Sequence, residues 1–126
     1  LGICLGMQLF AASSEESPGV RGLGVLDMGI TAFAGSVASP QLGWNTICAE
    51  DSCRVLKSGT VYYANSYKMD SVPAGWSGAT SEHGALFVGG LERGSIVLCQ
   101  FHPELSGSYG AGLLRRWIEA SEGVAC

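Results

Sequence analysis

Three residues of this chain have the types and the order that acyl-transfer chemistry uses: Cys4 near its start, and His102 and Glu104 near its end. Cys4 is the centre of Gly2-Ile3-Cys4-Leu5-Gly6, the cysteine form of a nucleophile elbow. In such an elbow the chain turns sharply from strand to helix and presents its central side chain on a strained backbone. Gly2 and Gly6 supply the small residues two positions either side that keep the turning backbone free of clashes. The motif predicts Cys4 at a helix N-terminus, where the macrodipole favours the thiolate, with the backbone N–H of Leu5 aimed at a developing oxyanion. Alone, the pentapeptide is a moderately specific signal. Cysteine is as often a small buried hydrophobe, and the chain holds 19 glycines.

His102-Pro103-Glu104 strengthens it. These residues follow the apolar run Ser95 to Phe101, which reads as the strongest strand of the chain, so His102 stands at its C-terminal end, where α/β folds place their sites. Pro103 fixes the turn that follows. A histidine there can take the thiol proton and return it to a leaving amine, while Glu104 orients the imidazole and stabilises its cation. Taken one by one, His102 reads equally as a buried histidine bonded to backbone and Glu104 as a solvated turn carboxylate. Their order with Cys4 as nucleophile, base and orienter favours the triad. His83, in Ser81-Glu82-His83-Gly84, reads as a surface loop residue.

The elements that must position these residues follow from periodicity and turn chemistry. Leu5, Leu9 and Ala12 recur at helical spacing, which predicts a helix over about 5–13, ended by Ser17-Pro18-Gly19. Arg21 to Gly24 is loop, and Val25 to Phe33 reads as one or two strands weakened at Gly29. Ala34 to Pro40 is a surface connection. Strands are expected over 44–48, 60–67, 77–81 and 85–88, with Met69 to Gly75 turn-like. Gly89-Gly90 and Arg93-Gly94 mark a turn before the strand 95–101. A closing helix over 109–120 carries the buried stripe Leu113, Leu114, Trp117 and Ile118. Strands outnumber helices, but a nucleophile turn feeding a helix belongs to an α/β sheet with helices packed on it.

Bulk properties narrow the chemistry. With 126 residues, 47% of them hydrophobic and 14% charged, the chain can build one core and is no disordered segment. A net charge of −4 with no Lys/Arg cluster argues against a nucleic-acid partner. No apolar run approaches the roughly 18–20 residues of a membrane span. The five cysteines are irregularly spaced, with four residues between Cys48 and Cys53, and do not read as a disulfide framework. Two histidines leave little for a metal site, so neither metal nor cofactor is expected. A reducing compartment follows, cytoplasmic or, in a plant-like source, plastid. The opening at Leu1, with no initiator Met or leader, reads as a fragment.

Gly2-Ile3-Cys4-Leu5-Gly6-Met7-Gln8 together with Gln100-Phe101-His102-Pro103-Glu104 resembles the class I (triad) glutamine amidotransferases. The resemblance implies an α/β fold, a flavodoxin-like three-layer sandwich here truncated at its N-terminus. It implies hydrolysis of glutamine through a Cys4 thioester, with ammonia passed to a partner synthase. Within that class, Gly22-Leu23-Gly24-Val25, Pro40-Gln41-Leu42-Gly43-Trp44-Asn45 and Tyr62-Tyr63-Ala64-Asn65-Ser66-Tyr67 resemble the glutaminase of imidazole glycerol phosphate synthase, in histidine biosynthesis. The partner is then a cyclase, as a separate subunit or a fused domain. By position the resemblance implies that Gln8 contacts the glutamine and that Glu16 receives its α-ammonium. The backbone of Ser66 and Tyr67 meets the α-carboxylate, and Gln41, Gly43, Trp44 and Asn45 lie near the cyclase. Structural alternatives are an exposed helix-end Glu16 and a core Tyr67.

Two positions depart from the family pattern: Asn65 stands where histidine is usual, and Leu105 where a cyclase-facing lysine is usual. The resemblance also implies that residues 1–126 are about the C-terminal two-thirds of one amidotransferase domain. The strand feeding Cys4 and a second oxyanion donor would then precede Leu1, and the isolated piece is expected neither to fold stably nor to be active. Alternative readings are the glutaminase of another pathway, such as anthranilate or aminodeoxychorismate synthesis, a non-catalytic partner-binding module, and a triad hydrolase such as a γ-glutamyl peptidase. Pro40 to Asn45 argues against the other glutaminases and the peptidase.

Overall fold

A computed structural model describes residues 1–122; Cys126 lies outside them. The strands are β1 (Gly2–Ile3), β2 (Ala11–Ser14), β3 (Leu26–Ala32), β4 (Gln41–Ala49), β5 (Gly59–Asn65), β6 (Tyr67–Lys68), β7 (Ser77–Glu82), β8 (Leu86–Arg93) and β9 (Ile96–Cys99). The helices are α1 (Leu5–Gln8) and α2 (Gly107–Glu122), with a 3-10 turn at Pro103–Leu105. Six strands form one sheet in the order β1-β9-β8-β7-β4-β5, and β2-β3-β6 form a second. In the larger sheet β1 runs parallel to β9, and the other pairings are antiparallel.

The period-2 alternation of the strands puts a core on each face of the large sheet. Phe87, Val97 and Cys99 join Ile47, Leu56, Tyr63, Phe101 and Leu113 on the face that α2 covers. Val88, Leu91 and Leu98 join Met7, Ala11, Leu26, Ile30 and Met69 on the face covered by the smaller sheet. The result is three layers of mixed α/β structure. Helix α2 is tied down at its polar tips as well: Trp117 Nε1 donates to the Ser95 carbonyl at 3.1 Å and Arg116 Nε to the Val55 carbonyl at 2.8 Å. Of the stripe expected on this helix, Leu113 is buried and Leu114 and Trp117 pack against the core, but Ile118 is half exposed.

Three expectations are corrected. The helix predicted over 5–13 stops at Gln8, and Ala11–Ser14 is a strand parallel to β3. The helical spacing misleads because Leu5 and Leu9 face solvent, while Met7 and Ala11 are the buried residues. Carbonyls that a longer helix would use internally are taken by the next segment: Leu9 accepts from Leu23 N–H at 2.8 Å and Phe10 from Leu26 N–H at 2.9 Å. Gly22 permits that approach, since a Cβ there would lie 2.1 Å from the Ala11 oxygen. Second, Gly89-Gly90 is no turn but lies inside β8, where Ala79 pairs with Gly90 and Thr80 with Val88, so that Gly89 is bulged out. A Cβ on Gly89 would meet the Tyr63 hydroxyl at 2.3 Å, which is why glycine stands in a strand here. Third, the elbow does have a strand before it, since Gly2–Ile3 pairs with Leu98 and Cys99.

The expected strand 60–67 is broken at Ser66. Asn65 ends β5 in the large sheet, and Tyr67 begins β6 in the small one. That corner carries the chain from one sheet to the other beside Cys4. His83 is in a loop, as expected, but its Nε2 contacts the Ala38 carbonyl at 2.7 Å and its ring packs edge-on to Phe33, pinning the 34–40 connection.

Two glycines of α2 should respond with opposite sign. A Cβ on Gly110 would lie 1.8 Å from the Pro103 carbonyl, whereas one on Gly112 meets only the tip of Arg116 at 3.1 Å. In denaturant unfolding of the full protein, Gly110→Ala should cost about 1–3 kcal/mol by overpacking. Gly112→Ala should stabilise by roughly 0.5–1 kcal/mol through helix propensity. Equal effects would contradict the close seating of α2 on the 3-10 turn.

Candidate active site

Cys4 sits between β1 and α1 with φ 51° and ψ −108°, the non-glycine residue with positive φ among those described. A β-carbon is strained there, at a cost of order 1–3 kcal/mol. The turn is held from both sides. Cys4 N–H donates to the Cys99 carbonyl at 2.7 Å, and the Cys4 carbonyl accepts from Met7 at 3.0 Å and Gln8 at 3.2 Å. Gly2 is needed, because a Cβ would lie 2.8 Å from Leu98 Cδ2 and 2.9 Å from the Gly6 carbonyl. At Gly6 a Cβ would meet nothing within 4 Å of the described residues, so the small residue expected there answers no clash among them.

The parallel register of β1 on β9 determines what lies beside the sulfur. With Ile3 opposite Cys99, the residues that follow β9 run past Cys4. Gln100, fully buried, donates from Nε2 to Cys4 Sγ at 3.6 Å. Two residues on, His102 is one-fifth exposed, and its Nδ1 meets Glu104 Oε1 at 2.7 Å. A carboxylate only accepts at neutral pH, so Nδ1 carries the proton and Nε2 is left as the basic nitrogen. The histidine is fixed through its backbone too. Its N–H donates to the Tyr62 carbonyl at 2.9 Å, and its carbonyl accepts from Ser106 Oγ at 2.6 Å. Among the described residues no hydrogen bond joins His102 to Cys4; the thiol's hydrogen-bond partner is Gln100 Nε2.

The expected lowering of the Cys4 pKa is not found; it is raised above the ordinary thiol value. Burial is the largest cause. The Leu5 amide acts against it, Glu16 and Glu104 raise it further by charge, and the Gln100 donor lowers it. With only one helical turn in α1, there is little macrodipole to oppose burial. Glu104 is held below the usual carboxylate value. Burial pushes it up, but the His102 hydrogen bond, a backbone hydrogen bond and the His102 charge together outweigh that.

An open cleft of about 230 Å³ leads to Cys4. Leu5, Gln8, Glu16, Pro40, Ala64, Asn65, Ser66 and Tyr67 line it, which brings together every residue expected to contact substrate. Glu16 is exposed at its rim rather than at a helix end, and Tyr67 is partly buried at its wall rather than in the core. Asn65, in place of the usual histidine, is buried with Nδ2 donating to the Tyr67 carbonyl at 2.9 Å and Oδ1 without a partner among the described residues. Gln41, its cross-strand neighbour, is buried with an equally unpartnered Oε1. A second open cleft of about 510 Å³ lies on the other side of Pro40, lined by Gln41, Leu42, Gly43, Trp44, Asn45, Glu82 and His83. Trp44 is exposed on it, while Asn45 Nδ2 is engaged with the Glu82 carbonyl at 2.8 Å. Gln41 is buried at the start of β4, at the inner end of this cleft. Leu105 is half exposed on the 3-10 turn after His102.

Two residues without an assigned role in the sequence lie beside the candidate triad. Gln100 was visible only as part of a motif, though an amide ending the apolar run 96–99 is itself a signal. Ser106, 2% exposed, bonds both the Tyr62 N–H and the His102 carbonyl, and no sequence signal marks it. Among the described residues, no group of three or more His, Cys, Asp or Glu could hold a metal ion, and no helix is long and apolar enough to cross a membrane.

The raised thiol pKa has a direct consequence. In the protein without substrate, alkylation of Cys4, followed on its own peptide by mass spectrometry, should still be accelerating as pH passes 9.0. A plateau well below that pH would contradict burial as the dominant influence.

Comparison with known proteins gives a consistent result. Residues 1–119 match the family described as glutamine amidotransferase class-I. The chain is 39% identical over 123 residues to imidazole glycerol phosphate synthase subunit HisH of Oceanobacillus iheyensis, covering 94% of this chain and 61% of that protein. It is 35% identical over 121 residues to the HisH subunit of Thermotoga maritima, covering 96% and 58%. With the chloroplastic imidazole glycerol phosphate synthase hisHF of Arabidopsis thaliana it shares 36% over 127 residues, covering 94% and 21%. A crystal structure of glutamine amidotransferase superposes with a TM-score of 0.68 at 21% identity, covering 98% of this chain and 60% of that one, and shows the same fold. The chain thus spans about three-fifths of the length of the HisH relatives. With the elbow and the His-Pro-Glu turn inside the matched residues, this chain belongs to the class I glutamine amidotransferases.

Proposed function

We propose that the chain supplies the nucleophile, base and orienter of a glutaminase that serves imidazole glycerol phosphate synthase in histidine biosynthesis. The observation that carries this reading is the Nδ1–Glu104 bond, which leaves a basic nitrogen on the segment that runs past Cys4. The relatives named HisH support the pathway, and in this reading residues 1–126 are the C-terminal two-thirds of one amidotransferase domain.

In the proposed reaction, glutamine enters the 230 Å³ cleft with its α-ammonium on Glu16 and its α-carboxylate on the Ser66 and Tyr67 amides, with Gln8 alongside. His102 Nε2 takes the Cys4 proton as sulfur attacks the side-chain amide carbon. The oxyanion forms beside the Leu5 N–H, and the imidazolium then protonates the leaving ammonia. Water, deprotonated by His102, hydrolyses the thioester to glutamate and regenerates the thiol. Glu104 stabilises the imidazolium in both halves. The raised thiol pKa fits a resting enzyme that waits for substrate. Glu16 disfavours the thiolate by its charge, and an ammonium placed on Glu16 cancels that effect.

The partner in this reading is a cyclase, separate or fused as in the hisHF relative, docking near Gln41, Gly43, Trp44 and Asn45 and using the ammonia to close the imidazole ring. The working compartment is cytoplasmic, or plastid in a plant-like source.

Glutamate release should be measured on the full protein with and without its cyclase. Turnover should rise when the cyclase is added, and Cys4→Ser should reduce it by about 10⁴-fold or more, as removal of a triad member does elsewhere. Unchanged turnover in Cys4→Ser, or background release even with the cyclase present, would overturn the reading in favour of a non-catalytic module.

A further inference from the structure

Gln100 is completely buried at the end of an otherwise apolar run, and the sheet does not need an amide there. Its backbone N–H is held by the Gly89 carbonyl at 2.9 Å, an acceptor presented by the bulge in β8. Its side chain links two groups. Nε2 donates to Cys4 Sγ at 3.6 Å, and Oε1 accepts from Gln8 Nε2 at 2.9 Å. Gln8 Nε2 also donates to the Tyr67 carbonyl at 3.3 Å.

The two ends of an amide have opposite character, and these contacts leave one orientation for each. A backbone carbonyl only accepts, so Gln8 turns its NH₂ toward Tyr67. The same NH₂ lies against Gln100, which must present its oxygen. The Gln100 NH₂ is then directed at the sulfur. One fixed carbonyl orders the whole chain of contacts, and Asn65 Nδ2 steadies that carbonyl by donating to it at 2.9 Å.

We propose that Gln100 is a further catalytic residue, a dedicated hydrogen-bond donor to the Cys4 sulfur, and that Gln8 is its positioning residue, oriented by the Tyr67 carbonyl. A donor bonds a thiolate more strongly than a thiol, so the relay favours the reactive form. It also ties the nucleophile to the β5–β6 corner. Displacing the Tyr67 carbonyl frees Gln8, lets Gln100 turn its oxygen toward sulfur, and withdraws the donor. The thiol therefore senses the arrangement of the cleft wall against which substrate is read to bind. This rests on Cys4 as the nucleophile, but its test does not use glutamine turnover, so the two readings fail separately.

The test is the pH dependence of Cys4 alkylation by iodoacetamide in the full protein, read on the Cys4 peptide, with thermal melts of each variant. Gln100→Leu should move the profile upward by about one pH unit, a tenfold loss of thiolate at fixed pH. Gln100→Glu, which faces the sulfur with a carboxylate, should move it further the same way. Gln8→Met should shift it upward as well, although that side chain makes no hydrogen bond to the sulfur. A Gln100→Leu profile that superimposes on the parent while the protein stays folded would overturn the proposal. If Gln100→Leu does not fold, Gln8→Met decides, and an unshifted profile there overturns it equally. Loss of packing alone would lower the melting temperature without moving the profile.

Discussion

The site depends on one short parallel pairing. Ile3 lies opposite Cys99, and the Cys4 N–H closes on the Cys99 carbonyl at 2.7 Å. That contact holds a residue with a side chain at φ 51°, a conformation costing of order 1–3 kcal/mol that a free chain would leave at once. The core on both faces of β9 resists that relaxation, with Val97 and Cys99 packed on the α2 side and Leu98 on the other. The same register decides which residues meet the sulfur. Once Cys99 is opposite Ile3, Gln100 must lie beside Cys4, and His102 and Glu104 must follow at the end of the strand. Two segments far apart in sequence are thus brought together by two paired residues.

Electrostatics at that point run against the nucleophile in the resting state. Burial raises the thiol pKa, and Glu16 and Glu104 add to it. Opposing them are neutral donors, the Leu5 amide and Gln100, rather than a fixed cation. A thiol with these neighbours is favoured over its thiolate until a base takes the proton.

The candidate site was legible in part from residue order, because Cys4, His102 and Glu104 are punctuated by Gly2 and Pro103, whose backbone roles are specific. The strands expected over 25–33, 44–48 and 77–81 correspond to β3, β4 and β7, although β3 is unbroken at Gly29 and β4 begins earlier, at Gln41. What failed was local pattern overridden by tertiary contact. Leu5 and Leu9 mimic a helical stripe yet face solvent, and Ala11 is buried in a strand because Gly22 lets the next segment lie against it. Gly89-Gly90 has the composition of a turn, but the Tyr63 hydroxyl occupies the space a side chain would fill. The depressed thiol pKa expected from a helix N-terminus failed for a related reason, since α1 lasts a single turn and burial dominates. Ser106 and the role of Gln100 were unreadable because both depend on which strands become neighbours.

The most direct test of Cys4 as the nucleophile of this site is covalent trapping in the full protein with a glutamine-derived electrophile, followed by peptide mass analysis. One adduct on Cys4, suppressed by excess glutamine, is the predicted result. Labelling of the exposed Cys48 instead, or labelling of Cys4 that glutamine does not suppress, would contradict it.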